Sequence, residues 1–237
     1  PEDRIAVVQP GVLNGDLQNA IADNNLFWPP DPSSASFCSI GGNIACNAGG
    51  PRAVKYGATR DNILALKAVT GTGELVEFGS ATNKNSSGFD LSRLLIGSEG
   101  GLALVVEATL KLTPRPDARQ MLRALFRDVE SAAHAVARVM NQANTPSMLE
   151  FMDATSIRLA REIGGADIQD AGALILLETD GEPHLLSSQL QGLANYLQGD
   201  GCISIDIASS DAEQAQLMAA RKALSPALRS LASGKIN

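Results

Sequence analysis

Residues 29–61 carry the glycines and side-chain amides that are best suited to hold a ligand. Two adjacent-glycine pairs, Gly41-Gly42 and Gly49-Gly50, lie close to the amides of Asn43 and Asn47, and charged residues are rare around them. Paired glycines permit positive φ and let main-chain N–H groups approach a ligand that any Cβ would keep away. The segment therefore predicts a backbone-lined cradle for a phosphate or a flat heteroaromatic ring.

A second glycine-rich segment, GSEGGL at residues 97–102, follows further along the chain. The two segments could line one crevice, with the first offering N–H groups to a pyrophosphate and the second running along a sugar and a ring. Either segment alone is typical of an ordinary turn. The pair favours a large, planar, anionic cofactor.

Several other catalytic motifs are absent from the sequence. Residues 71–76, GTGELV, lack the third glycine of a dinucleotide fingerprint and lie between predicted strands, which argues against a nicotinamide enzyme. Gly234-Lys235 has no upstream glycine at P-loop spacing. The two histidines, His134 and His184, lack HExxH spacing and are predicted to be surface or packing residues. No Ser/His/Asp set or GxSxG motif supports a hydrolase.

Composition excludes some classes of partner. The 237 residues include 26 acidic and 19 basic side chains, giving a formal net charge of −7, so we do not expect a nucleic-acid partner. Three cysteines without CxxC spacing indicate reduced thiols. No apolar run reaches the ~20 residues of a membrane span and no secretory signal opens the chain, so we expect a cytoplasmic protein without a transmembrane segment.

The segment Thr113–Pro116 predicts a domain boundary, because two prolines stop a strand and stiffen the connection. We predict a first domain at 1–114 and a second at 117–237. The elements expected in the first are a strand at Arg4–Val8, a helix capped by Asn14 or Asp16, a β-hairpin of Ile63–Thr70 with Leu75–Phe78, a short helix within Asp90–Ile96 and a strand from Leu102.

The second domain shows a different order of elements. Apart from a short helix near Ile157–Ile163, the patterns predict strand, helix, strand, strand, helix, strand, which is the order of a ferredoxin-like sandwich. The strands expected are Met121–Phe126, Met148–Met152, Ala173–Leu177 and Cys202–Ala208, and the helices start at Asp128, at Pro183 and, for a last one, at Ser210 or Asp211.

Two runs of sequence resemble one known family. SIGGNIACNAGGPRAVKYGATRDNI (residues 39–63) and LLIGSEGGLALVVEATLKLTPRP (residues 94–116) are similar to the flavin-linked oxidases of the vanillyl-alcohol oxidase fold. The similar branch contains the flavoprotein subunit of glycolate oxidase, D-lactate dehydrogenases and D-2-hydroxyglutarate dehydrogenases. The resemblance covers essentially the whole chain. It implies an α+β protein, with the second half of a PCMH-type FAD-binding domain followed by a ferredoxin-like α/β sandwich cap.

The resemblance implies FAD as cofactor and assigns its contacts. The residues expected along the FAD are Ser33, Ser34, Phe37, Cys38, Ser39, Gly41 and Gly42. Those expected to border its ring or pyrophosphate are Cys46, Asn47, Ala48 and Gly49. Those expected along the ribityl chain and adenosine are Glu99, Gly100, Leu102, Leu104 and Val105.

The resemblance also assigns residues to the substrate, a small 2-hydroxy acid. Arg221, Ser225 and Lys235 are similar to the cap-domain residues that receive its carboxylate, and a guanidinium suits that task because it binds carboxylates bidentately. The alternative is a solvated helix end where cations are favoured by the helix dipole.

Parts of the family pattern do not occur in these residues. The first FAD subdomain would precede Pro1, and the segment that supplies the catalytic base and the ligands of a divalent metal would follow Asn237. No catalytic residue and no metal ligand can therefore be named here, and we expect the chain to be a fragment that is inactive alone.

Two functions of different classes remain. The first is an FAD-dependent enzyme that oxidises glycolate, D-lactate or D-2-hydroxyglutarate by hydride transfer to flavin, as a homodimer or with partner subunits, and with an electron acceptor that the sequence does not identify. The second is a non-catalytic flavin-binding or scaffold subunit of an oxidase complex.

Overall fold

The chain divides into two compact units, and each is described separately. The computed structural model describes residues 1–231, except for the side chains at 220, 223, 225, 226 and 229–231. The first unit is Pro1–Arg115 and the second begins at Pro116. In the described part of the chain, no helix is both long enough and apolar enough to cross a bilayer.

The first unit is built on an antiparallel sheet in the order β1-β5-β3-β4, beside a small pair of β2 with β6. Its strands are β1 Ile5–Val8, β2 Leu26–Phe27, β3 Ile63–Thr70, β4 Leu75–Gly79, β5 Ala103–Lys111 and β6 Thr113–Pro114. The predicted hairpin is confirmed, because β3 pairs with β4 from Val69 opposite Leu75. Gly73 has a φ of 87° in the connecting turn, where a residue with a Cβ would be strained.

The helices of the first unit are α1 Asn14–Ala22, α2 Ile40–Cys46, α3 Ala53–Tyr56 and α4 Leu91–Leu95, with a 3₁₀ turn at Thr59–Asn62. Three of them, α1, α2 and α4, contribute buried residues to one core with this sheet. Trp28 is fully buried in the core, and its Nε1 donates to the carbonyl oxygen of Asn62 at 3.2 Å. The core also contains Ile40 and Ile44 of α2 and Leu66 and Leu110 of the sheet.

The predicted cap of α1 is wrong, and the cradle contains a helix that was not predicted. Leu13, not Asn14 or Asp16, is the N-cap of α1, because the side chain of Asn14 turns away to donate to the carbonyl oxygen of Pro30. The first glycine-rich cradle is partly helical, since both Gly41 and Gly42 lie in α2.

The second unit has the predicted ferredoxin-like sheet. Its strands β7 Ala118–Phe126, β8 Met148–Asp153, β9 Ala173–Gly181 and β10 Cys202–Ile207 are antiparallel in the order β10-β7-β9-β8. Its helices are α5 Val129–Met140, α6 Ala154–Glu162, α7 Pro183–Leu197 and α8 Asp211–Leu231. The sheet is longer than predicted, because β7 and β9 stay paired as far as Ala118 opposite Gly181.

Both faces of this sheet are covered by helices. Ile175 and Leu177 of β9 pack in one cluster with α5 and α7, whereas Leu174 and Leu176 pack in another with α6 and α8. Successive residues of a strand point to opposite faces, so a strand covered on both sides is apolar along its length. This explains the almost uninterrupted hydrophobic run at the start of β9.

Candidate flavin site

Helix α2 carries the first glycine pair and is held at both ends. Ser39 is its N-cap, and the Ser39 Oγ accepts a 3.1 Å hydrogen bond from the N–H of Gly42. Asn47 ends the helix in the left-handed conformation, with a φ of 48°, which asparagine tolerates better than most residues. Ile40 and Ile44 bury the opposite side of the helix in the core, so packing offsets the low helix propensity of the two glycines.

Gly41 allows the turn at Pro10 to approach α2 closely. A Cβ on Gly41 would lie 2.6 Å from the Cβ of Pro10 and 3.0 Å from its carbonyl oxygen. That oxygen accepts the N–H of Gly41 at 2.8 Å. The amides of Gly41 and Gly42 are thus bonded within the chain, and the prediction that they are presented to a pyrophosphate is wrong for these two residues.

The second glycine-rich segment is fixed to the C-terminal end of α2. The N–H of Gly97 donates to the carbonyl oxygen of Ile44 at 2.9 Å, and that of Glu99 donates to Ala45 at 3.0 Å. Both residues have positive φ, 88° for Gly97 and 50° for Glu99, so the loop folds back onto the helix end. The last carbonyls of a helix have no partner within it, and this loop supplies donors for two of them.

Arg60 forms hydrogen bonds with both of these parts of the chain. Its N–H donates to Asn47 Oδ1 at 2.9 Å, and its Nη2 donates to the carbonyl oxygen of Ile96 at 2.7 Å. The two glycine-rich segments, far apart in the sequence, therefore lie side by side as the sequence analysis expected.

A pocket of about 360 Å³ lies between them, within the size range of ligand pockets, roughly 300–1,000 Å³. Its lining is dominated by small and aliphatic residues. The predicted cofactor contacts among them are Ser39, Gly41, Gly42, Gly100, Leu104 and Val105. The lining residues that the sequence analysis missed are Pro10, Gly11, Ile44, Ala45, Leu95, Ser98 and Ala103. Pro10-Gly11 had a sequence signal, but it was interpreted only as the end of a strand.

The remaining predicted contacts surround α2 or follow it. Ser33, Ser34, Phe37 and Cys38 form the turn that leads into the helix, where the Ser34 carbonyl accepts the N–H groups of Phe37 and Cys38. The Phe37 side chain is 67% exposed.

Cys46 is exposed at the last position of α2, whereas Asn47, Ala48 and Gly49 are partly buried just beyond it. The Ala48 carbonyl accepts both the N–H and the hydroxyl of Thr59. Asn47 and Ala48 therefore have a structural role in joining α2 to the 3₁₀ turn. Leu102, the last of the predicted contacts, is half exposed beside β5.

The predicted substrate residues belong to the second unit. Arg221 lies on α8, and its Nε donates to Glu150 Oε2 of β8 at 2.9 Å. Ser225 also lies on α8, but its side chain is outside the described part, and Lys235 lies outside the described residues.

Both histidines lie on the protein surface. His134 and His184 are both exposed on helices, in agreement with the prediction for them. Within residues 1–231 no group of three or more His, Cys, Asp or Glu side chains could hold a metal ion. Cys38, Cys46 and Cys202 are free thiols.

Comparison with known families identifies the chain. A family model described as FAD binding domain matches residues 1–79, and one described as FAD linked oxidases, C-terminal domain, matches residues 115–236. The chain belongs to the FAD-linked oxidases. The predicted family and fold class are confirmed.

Individual relatives agree with this assignment. This FAD-linked oxidase is 35% identical over 231 residues to the glycolate oxidase subunit GlcD of Bacillus subtilis, covering 97% of the chain and 49% of that protein. It is 34% identical over 235 residues to a D-lactate dehydrogenase of Anaerostipes hadrus, covering 96% of the chain and 49% of that protein. The chain thus spans about half the length of these relatives.

A solved structure shares the fold. An alkyldihydroxyacetonephosphate synthase aligns with a TM-score of 0.74 at 20% identity, over 97% of this chain and 46% of that one.

The pocket of this FAD-linked oxidase suits part of a flavin cofactor. Its lining includes three residues with little or no side chain, Gly41, Gly42 and Ala45. Leu104 lines the same pocket and is 67% exposed, which leaves an apolar side chain available to pack against a ring. A lining of small and aliphatic residues is suited to a flat, largely apolar group.

Proposed function

We propose that the chain forms flavin-binding and substrate-binding parts of an FAD-dependent oxidoreductase that oxidises a small 2-hydroxy acid. The observation that carries the proposal is the pocket lined by both glycine-rich segments, which hydrogen bonds of Arg60, Gly97 and Glu99 hold together. The names of two relatives, a glycolate oxidase subunit and a D-lactate dehydrogenase, support this class of substrate, and the family resemblance adds D-2-hydroxyglutarate.

The residues proposed to hold FAD are those expected from the sequence. They are Ser33, Ser34, Phe37, Cys38, Ser39, Gly41, Gly42, Cys46, Asn47, Ala48, Gly49, Glu99, Gly100, Leu102, Leu104 and Val105. The lining suggests three additions, Pro10, Gly11 and Ser98. FAD, when bound, would accept the two electrons that leave the substrate carbon as hydride.

The residues proposed for the substrate act on its carboxylate. Arg221 would bind it through a guanidinium, with Ser225 and Lys235 as further donors. A fixed carboxylate orients the adjacent hydroxyl-bearing carbon, which lowers the entropic cost of reaching the reactive geometry. We propose no general base and no metal site in residues 1–231, where no suitable ligand cluster occurs.

The arrangement of the whole protein is also a proposal. A relative of this chain is named as a subunit of glycolate oxidase. We propose that the chain works with partner subunits or as a homodimer, and that residues 1–237 alone do not turn over substrate because no base has been assigned in them. Dye reduction by residues 1–237 alone would contradict the second point.

The experiment uses the protein expressed from its complete reading frame. After incubation with excess FAD and gel filtration, we expect retained flavin absorbance and reduction of a dye with one of glycolate, D-lactate or D-2-hydroxyglutarate. Arg221→Ala should raise the KM for that acid by roughly 10- to 100-fold, since a charge-assisted contact to the carboxylate is lost.

Lys222→Ala is the matched control, because Lys222 is the exposed neighbour of Arg221 on α8 and should leave the KM unchanged. A protein that retains no flavin would contradict the proposal. A flavin-containing protein that oxidises none of the three acids would favour the non-catalytic scaffold instead.

A further inference from the structure

Glu150 and Arg221 form an ion pair between the sheet and the last helix of the second unit. The Arg221 Nε lies 2.9 Å from Glu150 Oε2, although the two residues are 71 positions apart. The side chains are only 24% and 25% exposed. At this burial the contact is short, charge-assisted and partly shielded from water, so it restricts the guanidinium more than a surface pair would.

Glu150 occupies a position where the strand pattern calls for an apolar residue. Met148 and Met152, two residues before and after it, are buried in the cluster under α6 and α8. Because strand residues alternate between faces, Glu150 points to the same covered face. A partly buried ion pair is often no more stabilising than apolar residues of similar size. Stability alone therefore does not account for a carboxylate at this position.

The neighbouring carboxylate on this face has other partners. Glu178 is opposite Met148 in the register and is almost fully buried. Its Oε1 accepts a 2.9 Å hydrogen bond from the Ser147 hydroxyl, and Arg119 Nε lies 3.9 Å away. Glu150 is the carboxylate on this face for which a contact with Arg221 is described.

The contact leaves one edge of the guanidinium available. Arginine has five N–H donors in a planar fork, and the Nε–H is the one donated to Glu150. One N–H of Nη1 and one N–H of Nη2 form a separate edge that matches the two oxygens of a carboxylate. Fixing Nε therefore fixes the direction of that edge.

We infer that Glu150 is a positioning residue that aims the Nη1 and Nη2 edge of Arg221 at the carboxylate of the 2-hydroxy acid. This inference rests on the proposed function, in which Arg221 binds that carboxylate. Glu150 would act through Arg221, without touching the substrate.

Orientation and charge predict opposite results when Glu150 is replaced. If only net charge mattered, removing a carboxylate beside the site would strengthen the binding of an anion. If Glu150 orients Arg221, its loss weakens anion binding even though the site becomes more positive. Glu150→Leu removes the acceptor and suits the apolar surroundings, whereas Glu150→Gln keeps an acceptor oxygen without the charge.

The test measures KM and kcat of the FAD-loaded protein from its complete reading frame, together with oxalate binding by calorimetry. For Glu150→Leu we expect KM and the oxalate Kd to rise about tenfold, with a smaller change in kcat, because the carboxylate contact is misaligned. Glu150→Gln should recover part of the loss. In an Arg221→Ala background, Glu150→Leu should have no further effect.

Asp206→Asn is the control, because it alters a different ion pair of the same sheet, with Arg123 Nη2 at 3.0 Å, and should leave KM and Kd unchanged. Thermal unfolding checks that every variant is folded. Unchanged or tighter oxalate binding by folded Glu150→Leu, in a protein where Arg221→Ala raises KM, would overturn the inference alone. No binding or oxidation of any acid by the unmodified protein would overturn the inference and the proposed function together.

Discussion

The guanidinium of Arg60 donates a 2.7 Å hydrogen bond to the carbonyl oxygen of Ile96, which immediately precedes the second glycine-rich segment. The backbone N–H of the same residue donates to Oδ1 of Asn47, at the C-terminal end of α2. One partly buried arginine thus adds a side-chain contact to the two backbone hydrogen bonds, from Gly97 and Glu99, that join the segments. Because loops are held by few contacts, loss of one such bond should affect their position.

We expect Arg60→Met to destabilise the first unit by about 1–2 kcal/mol, since a charge-assisted hydrogen bond is lost and the Ile96 carbonyl loses its donor. The buried Arg60 Nε has no acceptor among the described residues, so removing it by substitution offsets part of this loss of stability. Trp28 is the only tryptophan of the sequence and is buried in this unit, so its fluorescence during urea unfolding reports the effect.

Arg93→Met is the matched control for this prediction. Arg93 pairs with Asp61 at 3.0 Å, but the side chains are 51% and 45% exposed, so the loss should be below about 1 kcal/mol. Equal losses in the two variants would mean that Arg60 has no special role in joining the segments.

Gly41→Ala should destabilise the first unit and weaken flavin retention. The added methyl group would lie 2.6 Å from the Cβ of Pro10, so either α2 or the turn at Pro10 has to move, at a cost of about 1–3 kcal/mol. Gly11 lines the same pocket, but a Cβ at that position would meet nothing within 4 Å. The free energy of unfolding of Gly11→Ala should therefore be nearly unchanged. Urea unfolding and flavin absorbance after gel filtration measure the two effects. A Gly41→Ala protein as stable as Gly11→Ala would show that the close approach to Pro10 is not needed.

The second unit could be predicted well because its signals are local. Asp128 caps α5 as expected, since an aspartate before an amphipathic run can accept the N–H three residues on. The hydrophobic run of β9 marks a strand covered on both faces. The bounds of α6, β8 and β10 differ slightly from the prediction, and the paired extensions of β7 and β9 were missed because those last pairs depend on each other and not on local sequence.

The cradle was harder to predict because its structure depends on distant contacts. The two glycines suggested a loop, but burial of Ile40 and Ile44 and the Ser39 cap make the segment helical. The same holds for the pair of Glu150 with Arg221, whose partners are separated by 71 positions. A sequence shows that such residues are chemically able to pair, whereas the fold determines whether they meet.

Leu177→Ala should cost the second unit about 2–5 kcal/mol, because the leucine is fully buried between the sheet and the layer of α5 and α7, where a cavity cannot close. Ile203→Ala provides the comparison on the same sheet. The Ile203 side chain is 46% exposed, so its truncation should change the free energy of unfolding much less. Circular dichroism during urea unfolding measures both. Similar losses for the two variants would contradict the two-layered packing around β9.

The pH dependence of the second unit should include a contribution from Asp128. Its carboxylate accepts the N–H of Ser131 at 2.8 Å, and Arg127 Nε lies 3.1 Å away. The hydrogen bonds from Ser131 lower its pKa most, and Arg127 adds to the effect, so that the pKa falls from 3.8 to about 2. A group whose pKa is lower in the folded state stabilises that state above the unfolded pKa. The stabilisation is lost as the pH falls through the folded pKa.

Asp128→Asn separates the charge from the cap, because asparagine also caps helices but does not titrate. Above pH 3.8 the unmodified protein should therefore unfold at a higher temperature than Asp128→Asn. As the pH is lowered towards 2, the unmodified protein should lose this advantage, whereas Asp128→Ala should be the least stable above pH 3.8 because it lacks both the cap and the charge. Asp170→Ala, at a side chain that is 84% exposed, should follow the unmodified protein throughout. A constant difference between the unmodified protein and Asp128→Asn from pH 6 to pH 2, measured by thermal unfolding, would show that the Asp128 charge does not stabilise the fold.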